Sequence, residues 1–365
     1  MPFRLAAGIL HPMSVSSLLR ARIEEEGPIP FEEFMRIALY HPDGGFFASV
    51  DVLRSVRGGD FLTSPEVSDA FGAAFGRFVD REAARLGSPV TVIEVGAGSG
   101  SLLRPLLDHV TVSAEAWAVE VSPAARRAIA RLVPEARVVP DLADVPGPIE
   151  GVVIANELVD NLPMAVVQMT ERGWRERWVG LDGGELVLVD APVRPEVERW
   201  VASYAGGEVP VGGVVECQLE AAVWLQRVVE MVSGGAVVVV DYGDVAENLL
   251  PRRQDGTLRT YRAHHLGPHP LDEPGATDIT ADVNFTALAE VARRAGAEVE
   301  LWRQDEFLAD LGLREELSEL RRAELEAARR GETMERLRLR SRRTEIETLL
   351  HPRGLGDFRV LVARR

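Results

Sequence analysis

Between residues 92 and 107 the chain reads Val-Ile-Glu-Val-Gly-Ala-Gly-Ser-Gly and continues into helix-forming residues 101–107. A short apolar run stopped by glycines at every second position, then a helix, is a buried strand feeding a tight turn. Glycine supplies the positive φ and the close backbone approach that such a turn needs. The helix behind it begins with N–H groups that have no partner of their own. Few architectures accommodate this unit, and the common one is a parallel sheet flanked by helices.

The rest of the chain repeats the pattern. Apolar runs at 90–95, 116–121, 137–139, 151–155 and 236–241 read as strands, and segments such as 124–133 and 219–232 read as helices between them. Strand–helix alternation predicts an α/β, Rossmann-like core with a mostly parallel sheet. An N-terminal helical segment (1–60) precedes it, with one helix broken at Gly27-Pro28 and a second over 30–40. The core spans 61–246. Within it, residues 164–190 alternate with period two around Gly173 and Gly183-Gly184, which predicts an antiparallel β-extension. Residues 247–280 are rich in Pro, Gly, Asp and His and are expected to be a long substrate loop, opening a region that runs to 350. Its later part, 305–350, is charged and helical, a lid. Residues 351–365 are expected to return to the sheet edge as a terminal strand.

The ligand of the glycine turn is read from its acids. A dinucleotide site uses G-x-G-x-x-G and seats a pyrophosphate on the helix N-terminus. Here the spacing is Gly96-x-Gly98-x-Gly100, with Glu94 just before it. A carboxylate there sits badly beside a pyrophosphate and suits a cationic ligand such as S-adenosylmethionine (SAM), with its ammonium and sulfonium. Glu120 follows about 20 residues on, where acids bond ribose hydroxyls in NAD and SAM folds alike. Glu120 therefore does not discriminate, whereas Glu94 with the compact turn favours SAM. NAD and a purely structural turn remain the alternatives.

Charge and composition narrow the partners. The net charge of −16 argues against nucleic acid, which needs clustered cations. All 41 basic residues are Arg, so no lysine base or Schiff base is available. The single cysteine, Cys217, excludes an intrachain disulfide and fits a reducing compartment. No run is long enough for a membrane-spanning helix. The first 22 residues lack acids and carry Arg4, Arg20 and Arg22, which resembles a transit peptide; a loose N-terminus with Met13 as start is the preferred reading, and a cytoplasmic location is expected.

Other residues invite chemistry. Glu157 and Asp160 follow the fourth strand at its C-terminal end, where ligands bind in this class. If 157–160 begins a helical turn, the two carboxylates share a face and clamp the methyl acceptor. The alternative is that Asp160 caps the next element and Glu157 pairs with an arginine. His264-His265 and His269 lack metal-ligand spacing, and no metal is expected. Tyr242 and Tyr261 are candidates for substrate contact or for packing. The Arg- and Glu-rich stretch 311–349 reads as a solvated face. Leu313, Leu317, Leu320 and Leu325 offer a seam for a protein substrate or a homodimer.

Several motifs in order resemble one family. They are Tyr40-His41-Pro42-Asp43-Gly44-Gly45-Phe46-Phe47, Gly59-Asp60-Phe61-Leu62-Thr63-Ser64-Pro65-Glu66, the Glu94–Gly100 turn, Glu120-Val121-Ser122-Pro123, Asn156-Glu157-Leu158-Val159-Asp160-Asn161-Leu162-Pro163, Asp241-Tyr242-Gly243, and residues 274–285. Together they resemble the MidA-like SAM-dependent methyltransferases, which are related to the mitochondrial assembly-factor methyltransferase of respiratory complex I. The resemblance runs from about Pro28 to Phe358. Ala97 and Ser101 depart from the family's usual Pro and Thr but leave the glycines intact. The resemblance implies a class I methyltransferase fold with a helical insertion over the active site, and Thr63, Ser64, Pro65 and Glu66 lining the SAM pocket. The expected cofactor set adds Glu94, Gly96, Gly98, Gly100, Glu120, Ser122, Asp141 and Asn156. The mitochondrial branch is described as methylating protein arginine, so a protein substrate, a respiratory-complex subunit among the candidates, is implied. A non-catalytic SAM-binding assembly factor and a small-molecule N- or O-methyltransferase are the competing functions.

Overall fold

The computed structural model describes residues 14–48, 64–87, 89–262 and 265–365. Its centre is a seven-stranded sheet of β1 (Val90–Val95), β2 (Ala114–Val119), β3 (Arg137–Val139), β4 (Ile149–Asn156), β5 (Val232–Asp241), β6 (Glu298–Arg303) and β7 (Arg359–Arg364). Their order is β6-β7-β5-β4-β1-β2-β3. Strands β5, β4, β1, β2 and β3 run parallel. β7 is antiparallel to both β5 and β6. The glycine turn thus follows a central strand, and the chain reverses direction of travel across the sheet beside it, which is where open α/β sheets bind ligands.

Alternation along the strands explains why the central ones read as unbroken apolar runs. Val92, Ile154, Val238 and Val240 face one buried cluster, and Ile93, Val95, Val153, Val237 and Val239 face the other. Helices cover both faces, so both sets of side chains are buried. The expected terminal strand exists, but it is not at the edge. It inserts between β5 and β6, because Val360 to Ala363 are apolar on both faces and need cover on each. The edge belongs to β6, whose Glu298, Glu300 and Leu301 are exposed.

The β-extension is a separate antiparallel sheet of five strands. Ala165–Thr170, Gly173–Asp182 and Glu185–Ala191 are joined by Val214–Cys217 and by the two-residue Ile29–Pro30. The N-terminal helices α1 (Val15–Glu26) and α2 (Phe31–Tyr40) pack against this sheet through Leu19, Phe34, Met35 and Val179. Residues 247–280 are not the long structureless loop expected. They hold a short helix, a 3-10 turn and the strands Arg259–Arg262, His265–Leu266 and Asp278–Thr280, which pair with one another. β-Branched and aromatic residues such as Thr260, Tyr261 and Ile279 drive that pairing despite the prolines between them. Residues 305–350, expected to form a helical lid, are helical, but none of them lines the ligand cavity. Gln304–Asp310 leads into a hairpin of α3 (Leu313–Arg330) and α4 (Thr333–Leu349), turned by Gly331 at φ 73°.

Candidate active site

A cavity of about 1010 Å³ opens at the C-terminal ends of β1, β2, β4 and β5. Enclosed sites for one drug-sized ligand run to about 1,000 Å³, so this one has room for a nucleoside cofactor and part of an acceptor. Gly96 and Gly98 line it at φ 72° and 53°, where L side chains are disfavoured. A Cβ on Gly96 would also meet Leu158 Cδ1 at 2.9 Å. The Gly96 N–H donates to Val119 O at 2.8 Å, and Glu120 accepts from the N–H groups of Gly98 (2.8 Å) and Ser122 (2.7 Å). One carboxylate therefore ties the glycine turn to the end of β2 and faces the cavity.

Glu94 lines the same space and is buried, and its Oε2 has no hydrogen-bond partner among the described residues. Burial, reinforced by the charge of Glu120, holds its carboxyl well above the usual range. A buried acceptor without a donor is costly unless a ligand supplies one. Asn156 repeats the feature, with Oδ1 unpartnered among the described residues and the residue on the cavity wall. These two acceptors, with Glu120 beyond them, fit a ligand carrying an ammonium at one end and hydroxyls further along. Asp141 and Ser122 also line the cavity. Each caps a following turn, accepting from Ala143 N (2.7 Å) and Ala125 N (3.3 Å) respectively.

The structure separates the 63–66 segment. Thr63 lies outside the described residues. Pro65 lines the cavity, while Ser64 and Glu66 are buried behind it, and Gly100 likewise sits behind the turn. Ser64 still bears on the site, because its N–H donates to Glu157 Oε1 at 3.3 Å and its hydroxyl accepts from Gln304 Nε2 at 3.2 Å.

Glu157 and Asp160 both reach the cavity, though not by the helical geometry expected. Glu157 has φ 51°, a left-handed conformation that is strained for a residue with a Cβ, and only Val159–Asn161 forms a 3-10 turn. Its N–H donates to Val240 O at 2.8 Å, so pairing to β5 holds the strained residue in place. Among the described residues Glu157 accepts from Ser64 N and from Asn156 Nδ2 (3.3 Å) rather than from an arginine, and the side-chain donors to Asp160 are hydroxyls. Tyr242 and Thr280 both donate to Asp160 Oδ2, the latter at 2.6 Å. Asp241, absent from the sequence-based candidates, sits beneath and accepts from the N–H groups of Val159 (2.9 Å) and Asp160 (3.2 Å).

Three carboxyls are thus crowded together. Burial, then Asp160, pushes Glu157 up to about 8. Burial raises Asp160, and burial with the charges of Asp160 and Glu157 raises Asp241 well above the carboxylate range. Aromatic rings of Tyr40, Phe47, Tyr242, Tyr261 and Phe358 complete this end of the cavity, and an ion cluster of Arg252, Asp282 and Arg259 borders it. Tyr261 was foreseen from sequence. The arginines and Asp278 were not, because their relation to the site depends on the pairing of residues 259–280.

A seven-stranded sheet with this strand order and a glycine turn between two acids defines a class I SAM-dependent methyltransferase. The chain belongs to the family described as "Putative S-adenosyl-L-methionine-dependent methyltransferase", whose model matches residues 75–302. It is 30% identical over 322 residues to the Drosophila melanogaster protein named protein arginine methyltransferase NDUFAF7 homolog, mitochondrial, covering 78% of this chain and 71% of that one. The Xenopus tropicalis relative named protein arginine methyltransferase NDUFAF7, mitochondrial, is 30% identical over 328 residues, covering 80% and 74%. A crystal structure from Burkholderia thailandensis bound to S-adenosyl-homocysteine superposes with TM-score 0.84 at 28% identity, covering 96% of this chain and 92% of that one. The protein is a SAM-dependent methyltransferase and SAM is its cofactor. The cytoplasmic expectation is overturned by the relatives, whose names are mitochondrial. No helix of the described residues is long and apolar enough to cross a membrane.

Proposed function

We propose that the protein methylates an arginine side chain of a protein substrate, held between Glu157 and Asp160. The observation that carries this reading is the crowding of raised carboxyls at one end of the cavity. Among the described residues no arginine forms an ion pair with them, the nearby Arg252 and Arg259 being engaged by Asp282, and an entering guanidinium lets them ionise and accept its N–H groups. Tyr40 and Tyr242 line the same end of the cavity, and aromatic rings favour a cation. When bound, the sulfonium cofactor supplies an electrophilic methyl group.

The chain's own residues do the rest. Glu94 accepts from the cofactor's ammonium, Glu120 from its ribose hydroxyls, and Asp141 and Ser122 lie at the nucleoside end. Glu157 and Asp160 orient the guanidinium so that one nitrogen faces the methyl, and ionised carboxylate takes up the proton lost on transfer. Tyr242 and Thr280 fix the carboxylate of Asp160. The relatives' names as protein arginine methyltransferases favour protein-bound arginine over free amino acid, and the family resemblance makes a respiratory-complex subunit the first candidate. The aromatic lining favours a second reading, a small flat acceptor held between the rings.

The test uses methyl-labelled SAM with organelle extract, followed by acid hydrolysis and amino-acid separation. Label in methylarginine supports the proposal. Label in a small-molecule fraction supports the second reading, and label in base-labile esters or methyl-lysine refutes both.

A further inference from the structure

The α3–α4 hairpin is anchored at its base and bare beyond it. Leu313, Leu320, Ile346 and Leu349 are buried in the main core, but between residues 321 and 345 Ala327 alone is buried. From Leu320 to Arg330 the helix rises about 15 Å. Over this stretch Leu325, Met334 and Leu337 are 61%, 68% and 52% exposed. Residues 329–343 contain seven Arg and two Glu, in a chain whose net charge is −16. Five of these seven arginines pair with Glu316, Glu324, Glu332 or Glu335, and over the whole distal stretch, residues 321–345, nine Arg stand against five Glu, which leaves four positive charges in excess.

We propose that the distal half of this hairpin docks the protein on an anionic lipid surface, its arginines on phosphates and its exposed aliphatic side chains dipping among the headgroups. Charge complementarity selects an anionic partner. The chemistry of the arm selects among anions. No aromatic residue lies between 308 and 350, so the arm offers no platform for stacking bases. Three separated aliphatic side chains fall short of the apolar core of a stable protein interface, which buries on the order of 1,000 Å² or more. A lipid surface needs only shallow insertion of a few such groups together with Arg or Lys. The arm's reach also settles a conflict. The acidic body is repelled by an anionic bilayer, but screening acts over about 8 Å at physiological salt, less than the ~15 Å by which the tip extends.

The experiment is co-sedimentation of the full chain with vesicles of phosphatidylcholine alone and of phosphatidylcholine containing one-third phosphatidylglycerol. The anionic vesicles should bind at least about tenfold better, and half-molar salt should abolish the difference. Two triple variants, Arg336→Gln with Arg338→Gln and Arg340→Gln, and Leu325→Ser with Met334→Ser and Leu337→Ser, should each lose about tenfold in binding. All six positions are exposed, so the unfolding midpoint and S-adenosyl-homocysteine affinity should stay unchanged. Equal binding to both vesicles, or full binding by either variant, overturns the proposal. So does a preference for a single-stranded oligoribonucleotide, or a concentration-dependent dimer lost in the same variants without vesicle binding.

Discussion

Replacing Glu157 by Gln tests the electrostatics of the cavity directly. The folded chain holds a proton on Glu157 that the unfolded chain releases, because burial and Asp160 raise the group from 4.5 to about 8. Its contribution to stability is therefore full below pH 4.5 and is lost as pH rises towards 8. At about 1.4 kcal/mol per pH unit, about 3 kcal/mol is lost by pH 7, and water in the cavity onto which Glu157 opens reduces that to about 2 kcal/mol. Glutamine carries no charge to desolvate, and its side-chain oxygen can accept the bonds from Ser64 N and Asn156 Nδ2 that Glu157 Oε1 accepts. Urea unfolding at pH 5, 7 and 8.5 should show the variant gaining on the parent by about 2 kcal/mol between the first two values, with a further gain at the third. Methyl transfer should fall about 100-fold in the same variant, since the developing charge loses its carboxylate. Parallel pH–stability curves for the two proteins would refute the raised carboxyl, and with it the argument that the site awaits a cation.

Other predictions follow from the same geometry. Glu94→Ala should weaken S-adenosyl-homocysteine binding by calorimetry about tenfold or more, because the unpartnered buried acceptor that faces the ammonium is gone. Gly96→Ala should abolish cofactor binding while leaving a folded chain, since its φ is positive and the new Cβ would be 2.9 Å from Leu158 Cδ1. Tyr242→Phe should lower kcat and leave cofactor affinity unaltered, with Thr280 still holding Asp160; an equal loss of cofactor affinity would show the ring acting elsewhere. Leu308→Ala, in the core beneath the hairpin, should cost about 2–5 kcal/mol in denaturant unfolding with little change in cofactor affinity.

The sequence revealed most where local chemistry settles structure. The turn at Gly96–Gly100 and the acids at 94 and 120 are legible because glycine spacing and strand ends are local properties. The β-extension was legible as three strands, but its partners Ile29–Pro30 and Val214–Cys217 come from distant segments that no periodicity announces. Glu157 and Asp160 were found through the wrong geometry. A helical turn was expected, whereas pairing to β5 forces Glu157 into the left-handed region, a tertiary effect that overrides local preference. Asp241 was quoted in the Asp241-Tyr242-Gly243 motif but given no role in the site, because an acid ending an apolar strand looks like any other strand terminus. Its role beneath Asp160 emerges only once β5 and β4 lie side by side.

The position of β7 bears on how the protein is made. β5 ends at Asp241, and its second neighbour begins at Arg359. At translation rates of about 5–20 residues per second, roughly 6–25 s separate the two strands on the ribosome. Throughout that interval Val237 to Val240 present an apolar edge with unmet main-chain donors and acceptors, the kind of surface that pairs with other chains. A central sheet completed by its most C-terminal strand should therefore engage chaperones during synthesis and misassemble when residues 359–364 are removed.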